Sequence, residues 1–529
     1  MAGSFAVLDW VVIAAYVALL AVMGWVFSKK TSENSRDYFL GGNAMPYWVV
    51  AISVLATSQS AATFLGGPDQ GYRGDFTYLS SNIGTIIAAI FVARILIPKF
   101  YEHRVTTVYE LLSIRFNPAT MRAAGGMYLV GRIFASGSRL FLAAIAVSMI
   151  LFGNIDASSI IIASFLMMAL GFLITFLGGI NSVIWSDLIQ FLIYTLAALG
   201  VVYVLWNAIP ANYSEVVEGL GNTPEGQNKL TLFDFSINFS APFAMISVIT
   251  GLTLLGIGSF GLDQDMTQRV LTCKTANEGG RALLISAVLA IPVVAIFIGI
   301  GNLLYVFYER PDLMGAAVNS AEGREFSGEK ITVFMHYILN ELPAGMRGLV
   351  TVGVVAAAVS TINSGLNSMS SVIIEDFYKP WRQKRVSMEE VTDKHFVRAG
   401  QISMGVVGMA LFGMSVLCFF WQQYSDTPLL EFALSVMVFA YSGLLGVYFT
   451  VIFTKRGSPI SVMLALAVGF LVTLLQQPYI VDTLGLPESW KSLAFSWKLC
   501  IGTFIAFLVC VAGNNNQLSK TMTQQEITA

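Results

Sequence analysis

The stretch Ala56-Thr57-Ser58-Gln59-Ser60-Ala61-Ala62-Thr63, closing on Gly66-Gly67-Pro68, decides how this chain is read. It falls inside an apolar run, residues 46–65, long enough to cross a bilayer. Lipid offers the backbone no hydrogen-bond partner. A hydroxyl-rich, interrupted segment at mid-depth therefore survives only where it lines a cavity inside protein. Two later runs share the irregularity. Residues 241–260 lead into Gly251, Gly256, Gly258 and Gly261, with Ser259 among them, and residues 346–374 carry Ser360-Thr361-Ile362-Asn363-Ser364-Gly365.

Working outward, the rest of the chain is built to match. Of its 529 residues, 56% are hydrophobic and 12% charged, against about 25% charged in a soluble domain. That composition excludes a soluble enzyme, a disordered chain and a nucleic-acid binder. The net charge of −2 points to no polyanionic partner. The four cysteines form no CxxC pair, and the three histidines have no metal-ligand spacing. The first apolar run, Leu8 to Phe27, exceeds a signal-peptide core and reads as a retained span.

Thirteen candidate spans follow from the need for about 20 mostly apolar residues: 8–27, 46–65, 79–98, 123–152, 158–177, 184–205, 241–260, 282–308, 346–374, 396–420, 430–453, 459–476 and 497–513. With the N-terminus outside, twenty of the thirty Lys and Arg fall on the cytoplasmic side and eight outside. The remaining two, Arg132 and Arg139, lie inside the fourth span. The bias of basic residues towards the cytoplasm predicts an N-out, C-in protein. Loops 206–240 and 309–344 read as solvated outer caps.

The second and seventh spans, both interrupted, lie five apart. Five is odd, so two copies of a five-helix unit would enter the membrane in opposite senses. The resulting expectation is an all-α, five-plus-five inverted-repeat core. Residues 1–45 form a peripheral first helix and cytoplasmic linker, 46–205 the first repeat and 206–240 an extracellular loop. Residues 241–455 form the second repeat, 456–513 two peripheral helices and 514–529 a cytoplasmic tail. Small residues also serve close helix packing, and that reading competes for each glycine taken singly. In the ninth span Ala357, Ser360, Thr361 and Ser364 share one helical face. Their hydroxyls and a carbonyl offer neutral oxygen ligands suited to a hard monovalent cation. Back-bonding of those hydroxyls to their own helix is the competing use.

The same residues carry a resemblance. Asp37-Tyr38-Phe39-Leu40-Gly41-Gly42, Leu177-Gly178-Gly179-Ile180-Asn181-Ser182, Trp185-Ser186-Asp187-Leu188-Ile189-Gln190 and Asp263-Gln264-Asp265-Met266-Thr267-Gln268-Arg269, with the serine-rich ninth span, resemble the solute:sodium symporter family. The resemblance runs over residues 8–455. It implies sodium and solute bound at the centre of the inverted repeat. Carried over by position, a main sodium site would use backbone oxygens of Ala56, Gln59 and Ala357 and the hydroxyls of Ser360 and Thr361. A second sodium, as in sialic acid carriers, would use Asp187, Ser360, Asn363 and Ser364; this chain has Asn363 where those carriers have serine. Asp187 could otherwise be a carboxylate at a helix start.

Ser58, Ser60, Thr63 and Asn82 resemble solute-contacting positions, and Ser259 and Phe260 are candidate walls. One of Arg132 and Arg139, seven residues apart on one face, resembles the arginine that grips a carboxylate. Snorkelling to the outer face is its alternative. The expected function is a sodium-coupled symporter importing a small sugar, acidic sugar or carboxylate by alternating access. The expected partners are the solute, the sodium ion and the bilayer, with neither nucleic acid nor an obligate protein partner. A passive channel and a proton-coupled carrier are the rival readings, and no enzyme chemistry is indicated.

Overall fold

The computed structural model describes residues 5–28, 34–315, 333–385, 392–422 and 429–514. Most of the tail expected at 514–529 lies outside the described residues, as does the 316–332 part of the second outer loop. Every described regular element is helical. The main helices are α1 (Val7–Ser28), α2 (Tyr47–Ser58), α3 (Ala61–Arg73), α4 (Thr77–Glu102), α5 (Pro118–Phe152), α6 (Ala157–Phe176) and α7 (Gly179–Ala208). They continue as α8 (Met245–Leu262), α9 (Gln264–Val270), α10 (Ala276–Glu309), α11 (Met346–Gln383), α12 (Asp393–Gln422), α13 (Leu429–Phe453), α14 (Pro459–Leu475) and α15 (Phe495–Ala512). Each of the thirteen expected spans falls on one of these, the second on the pair α2 and α3. Ten of the described helices are long and apolar enough to cross a membrane, and the chain is a multi-pass membrane protein.

Ordinary local rules set the boundaries. Asn117 caps α5 by accepting from the backbone of Ala119 and Thr120, with Pro118 at the first helical position. Ser458 and Ser461 form a reciprocal cap on α14. Asp9, on the first turn of α1, accepts from Gly345 N at 2.8 Å and Gly348 N at 2.7 Å. It therefore anchors the start of α11, where a carboxylate complements the helix dipole.

The two breaks fall where the sequence pointed, with sharper positions. The first lies at Gln59 and Ser60, both extended, and not at Gly66-Gly67-Pro68. α3 runs through that triplet to Arg73 because the small residues there serve packing. A Cβ on Gly71 would sit 2.3 Å from Ile298 O, and one on Gly301 would sit 2.1 Å from Pro68 O. α3 and α10 thus touch backbone to backbone. The second break follows two π-helical turns, Val248–Leu252 and Gly258–Leu262, and ends at extended Asp263 before α9. The glycines of α8 are also contact points: Gly251 abuts Ser496 O and Gly258 abuts the Tyr441 side chain. Packing and interruption coexist in that span.

The sequence motifs meet one another. Gly179 (φ 58°) turns α6 into α7 with its α-carbon over Tyr38, and Gly41 (φ 61°) sits where a side chain would strike Asn181. Gln268 Nε2 donates to Phe39 O at 2.6 Å and to Asn367 Oδ1 at 2.9 Å. α11 packs along both α6 and α7, and α13, α14 and α15 pack together at one side.

The loops at 206–240 and 309–344 are more than solvated caps. The helix Val333–Asn340 buries Phe334, Met335, Tyr337 and Ile338 and packs on α3. Lys229, in the 206–240 loop, is buried and donates to Tyr72 O at 2.8 Å and Gly74 O at 2.7 Å, with its ammonium 4.3 Å from the Tyr305 ring. An ammonium there satisfies carbonyls at the end of α3, where the helix leaves them without partners.

Candidate functional site

The site grows from the first break. Gln59 N bonds to Leu55 O at 2.9 Å, and the next helical turn starts only at Ser60, whose carbonyl takes Thr63 N and Phe64 N. A helix that stops at Ser58 leaves its last carbonyls, including that of Ala56, without intrahelical donors. Beside them is a cavity of about 10 Å³ bordered by Ala56, Gln59, Gln190, Phe191, Tyr194, Ala356, Ala357 and Ser360. That is room for about one water-sized occupant. The Gln59 Oε1 atom is buried without a hydrogen-bond partner.

Four of the five expected main-site residues (Ala56, Gln59, Ala357 and Ser360) border this small cavity. Thr361 is the neighbour of Ser360 on α11 and donates to Ala357 O at 3.2 Å. Ser360 donates to Asp187 Oδ1 at 2.6 Å, which leaves the lone pairs of its oxygen available to a cation. The cavity is small and uncharged, and its polar neighbours include the Gln59 and Gln190 amides, the Ser360 hydroxyl and the carbonyls freed at the end of α2.

The four residues expected for a second ion are less closely gathered. Asp187 holds Ser360 on one oxygen and, on the other, Ser53 Oγ at 2.5 Å and Arg269 Nη2 at 3.0 Å. Ser364 turns to Asp265 Oδ2 at 2.9 Å. Asn363, in the amide orientation that satisfies both its atoms, donates to Gly171 O at 2.8 Å and to Thr175 Oγ1 at 3.1 Å.

A larger cavity of about 140 Å³ lies against the same break. Of the expected solute residues, Ser58, Asn82, Arg139, Ser259 and Phe260 line it. Ser60 and Thr63 are buried on the first turn of α3, outside its lining, and Ser60 caps that helix through Ala62 N at 3.2 Å. Gln59 borders both cavities. Tyr78, Phe243, Leu434 and Met437, absent from the sequence reading, add an aromatic and thioether wall.

The two arginines of α5 have different fates. Arg132 Nη1 pairs with Asp263 Oδ2 at 2.9 Å and its Nη2 pairs with Asp265 Oδ2. Arg139 faces the cavity, where its Nη2 lies 3.5 Å from Met437 Sδ and its Nη1 has no hydrogen-bond partner. Arg139 is the one charged side chain among the residues lining that cavity.

Sequence reasoning missed the ionic lattice around the second break. Arg269, counted there as a cytoplasmic-face charge, is 0% exposed. It bonds Asp187, Asp265 Oδ1 at 2.7 Å and Ser53 Oγ at 2.9 Å. Asp263 also takes Tyr441 OH at 2.5 Å and Asp265 N at 3.0 Å. The available signal was the Asp263-Gln264-Asp265 run just past a glycine-rich, breakable span.

The sequence model of the sodium:solute symporter family matches residues 38–469. The sodium/sialic acid symporter SiaT of Proteus mirabilis is 27% identical over 476 residues, 89% of each chain. The sodium/sialic acid symporter NanT of Aliivibrio fischeri is 27% identical over 80% of each. The sodium-coupled monocarboxylate transporter 2 of Mus musculus is 28% identical over 71% of this chain and 58% of its own. Among solved structures, a Na+-coupled sialic acid symporter in a substrate-bound, outward-open state superposes with a TM-score of 0.77 and 24% identity, covering 96% of this chain and 98% of that one. That likeness shows the shared fold. Broken helices, a small cavity beside the first break and a family match over most of the chain lead to one conclusion: this protein belongs to the sodium:solute symporter family.

Proposed function

We propose that the protein is a symporter that imports a small carboxylate-bearing solute with sodium by alternating access. The observation that carries the choice of solute is Arg139, a buried guanidinium with an unpartnered Nη1 facing the cavity. A planar fork of donors suits a carboxylate, which it can grip through two parallel hydrogen bonds. Ser58, Asn82 and Ser259 add hydroxyl and amide groups for the rest of the solute, and Phe260, Tyr78 and Phe243 add apolar walls. The relatives named for sialic acid and monocarboxylates are consistent with this chemistry.

Sodium, in this reading, is held by the backbone oxygens of Ala56, Gln59 and Ala357 and the hydroxyls of Ser360 and Thr361. It thereby ties the broken span to α11. Solute and ion share Gln59 as a common wall, so each organises the site for the other. Closure of the outer side over the solute, followed by release of the inner lattice, completes the cycle.

The test is uptake of radiolabelled N-acetylneuraminate and lactate into proteoliposomes with and without an inward sodium gradient. Concentrative, sodium-dependent uptake is expected. Arg139→Ala should reduce it by at least about tenfold, the loss of a charge-assisted bidentate contact. Equal uptake with and without sodium, or unchanged uptake in Arg139→Ala, removes the proposal.

A further inference from the structure

The charges around the two cavities can be counted. Three carboxylates, Asp187, Asp263 and Asp265, and three guanidiniums, Arg132, Arg139 and Arg269, are buried at the centre. Guanidinium groups remain protonated. Each carboxylate accepts at least two bonds from side chains or backbone, including one or more from arginine, and each carries a formal negative charge. The other buried charged side chains among the described residues (Asp9, Asp69, Lys229, Arg310, Asp376 and Lys498) lie near the ends of helices or in loops.

The six central charges sum to zero, yet they are unevenly used. Arg132 and Arg269 are saturated by the three aspartates, and this subset carries one negative charge in excess. Asp187, paired to Arg269, holds Ser360 beside the small cavity, while Asp263 and Asp265 share Arg132. The balancing positive charge is Arg139, which faces the solute cavity and has no ion-pair partner among the described residues.

We infer that this centre is charge-matched to one sodium together with one monoanion, so that a transport cycle moves no net charge. The inference rests on the symporter reading above and adds the charge class of the solute and the ion count. Sodium alone would leave one positive charge uncompensated in a low-dielectric interior, and the anion alone one negative charge. Bound together they restore neutrality. A second sodium would unbalance the centre again. The seat beside Asp187 expected for one already holds the Arg269 guanidinium, and Asn363 is turned towards Gly171.

Two measurements test this. In the first, 22Na+ binding is measured on purified protein without solute, for the wild type, Arg139→Gln and Arg139→Lys. Removing the cavity's positive charge should tighten sodium binding several-fold in Arg139→Gln, while Arg139→Lys stays near the wild type. Unchanged or weaker binding in a folded Arg139→Gln overturns the inference, and a misfolded variant could not produce the expected gain. In the second, wild-type proteoliposomes are offered lactate, N-acetylneuraminate, glucose and succinate under a sodium gradient, with and without a valinomycin-imposed potential. Sodium-driven uptake of a monoanion that ignores the potential supports the inference. Potential-driven uptake, or a preference for glucose or succinate, overturns it and leaves the symporter reading standing. Transport of every substrate independent of sodium overturns both.

Discussion

Ser360 works in two directions. Its proton goes to Asp187 and its oxygen borders the small cavity, so one side chain links the cation cage to the ionic lattice. Ser360→Ala removes a ligand and leaves an Asp187 oxygen short of a donor. A hydrogen bond to a charged group contributes about 1.5–3 kcal/mol, so half-saturating sodium should rise by about tenfold or more in uptake assays. Thr361→Ala, whose hydroxyl now bonds Ala357 O, should act in the same direction. Sodium activation identical to the wild type in both variants would place the ion elsewhere. The two arginines of α5 mark the limit of sequence reading at this scale. Their spacing put both on one face, and their identity gave no means of separating them. What separates them is a pair of carboxylates more than 120 residues away, which claim Arg132 and leave Arg139 to the cavity.

At the scale of elements, the broken helices were legible because hydroxyls and glycines are out of place at mid-membrane. Their exact turning points were not. Gly66-Gly67-Pro68 looked like a terminator, and it is instead the smooth side of α3 that meets α10. The burial of α9 was illegible for a different reason: beyond the Arg269–Asp265 pair within it, the charges at its start are met by Arg132 of α5 and Asp187 of α7, far away in sequence. The docked outer loop yields a pH prediction. Burial pushes the Lys229 ammonium down to about 8, against partial opposition from Asp75 and Glu225. An undocked lysine titrates near 10.4. Between those values the docked loop binds fewer protons than the undocked one, so docking strengthens as pH rises from about 8 to about 10. Hydrogen exchange of residues 223–232, corrected for its intrinsic pH dependence, should slow across that window. Lys229→Met should abolish the dependence; exchange that accelerates in the wild type would reverse the assignment.

For the whole molecule, the proposed transport cycle requires the ionic lattice around Asp265 to open. Asp265 joins Arg132 of α5 to Arg269 of α9 and takes Ser364 of α11, so three helices converge on one carboxylate. Breaking a buried ion pair on one side costs about 3–5 kcal/mol. Asp265→Asn should therefore lower the melting temperature in detergent markedly, with sodium recovering less of it than in the wild type. A melting curve indistinguishable from the wild type would show that the lattice carries no closure. The interlock of Gly71 and Gly301 has a mechanical consequence. With no side chains between them to act as bearings, α3 and α10 cannot slide past each other and must travel as a single lever. The α3 half of the broken span then has its fulcrum at Gln59 and Ser60, and Gln59 also borders the small cavity. Whatever loads the cage loads the pivot of that lever.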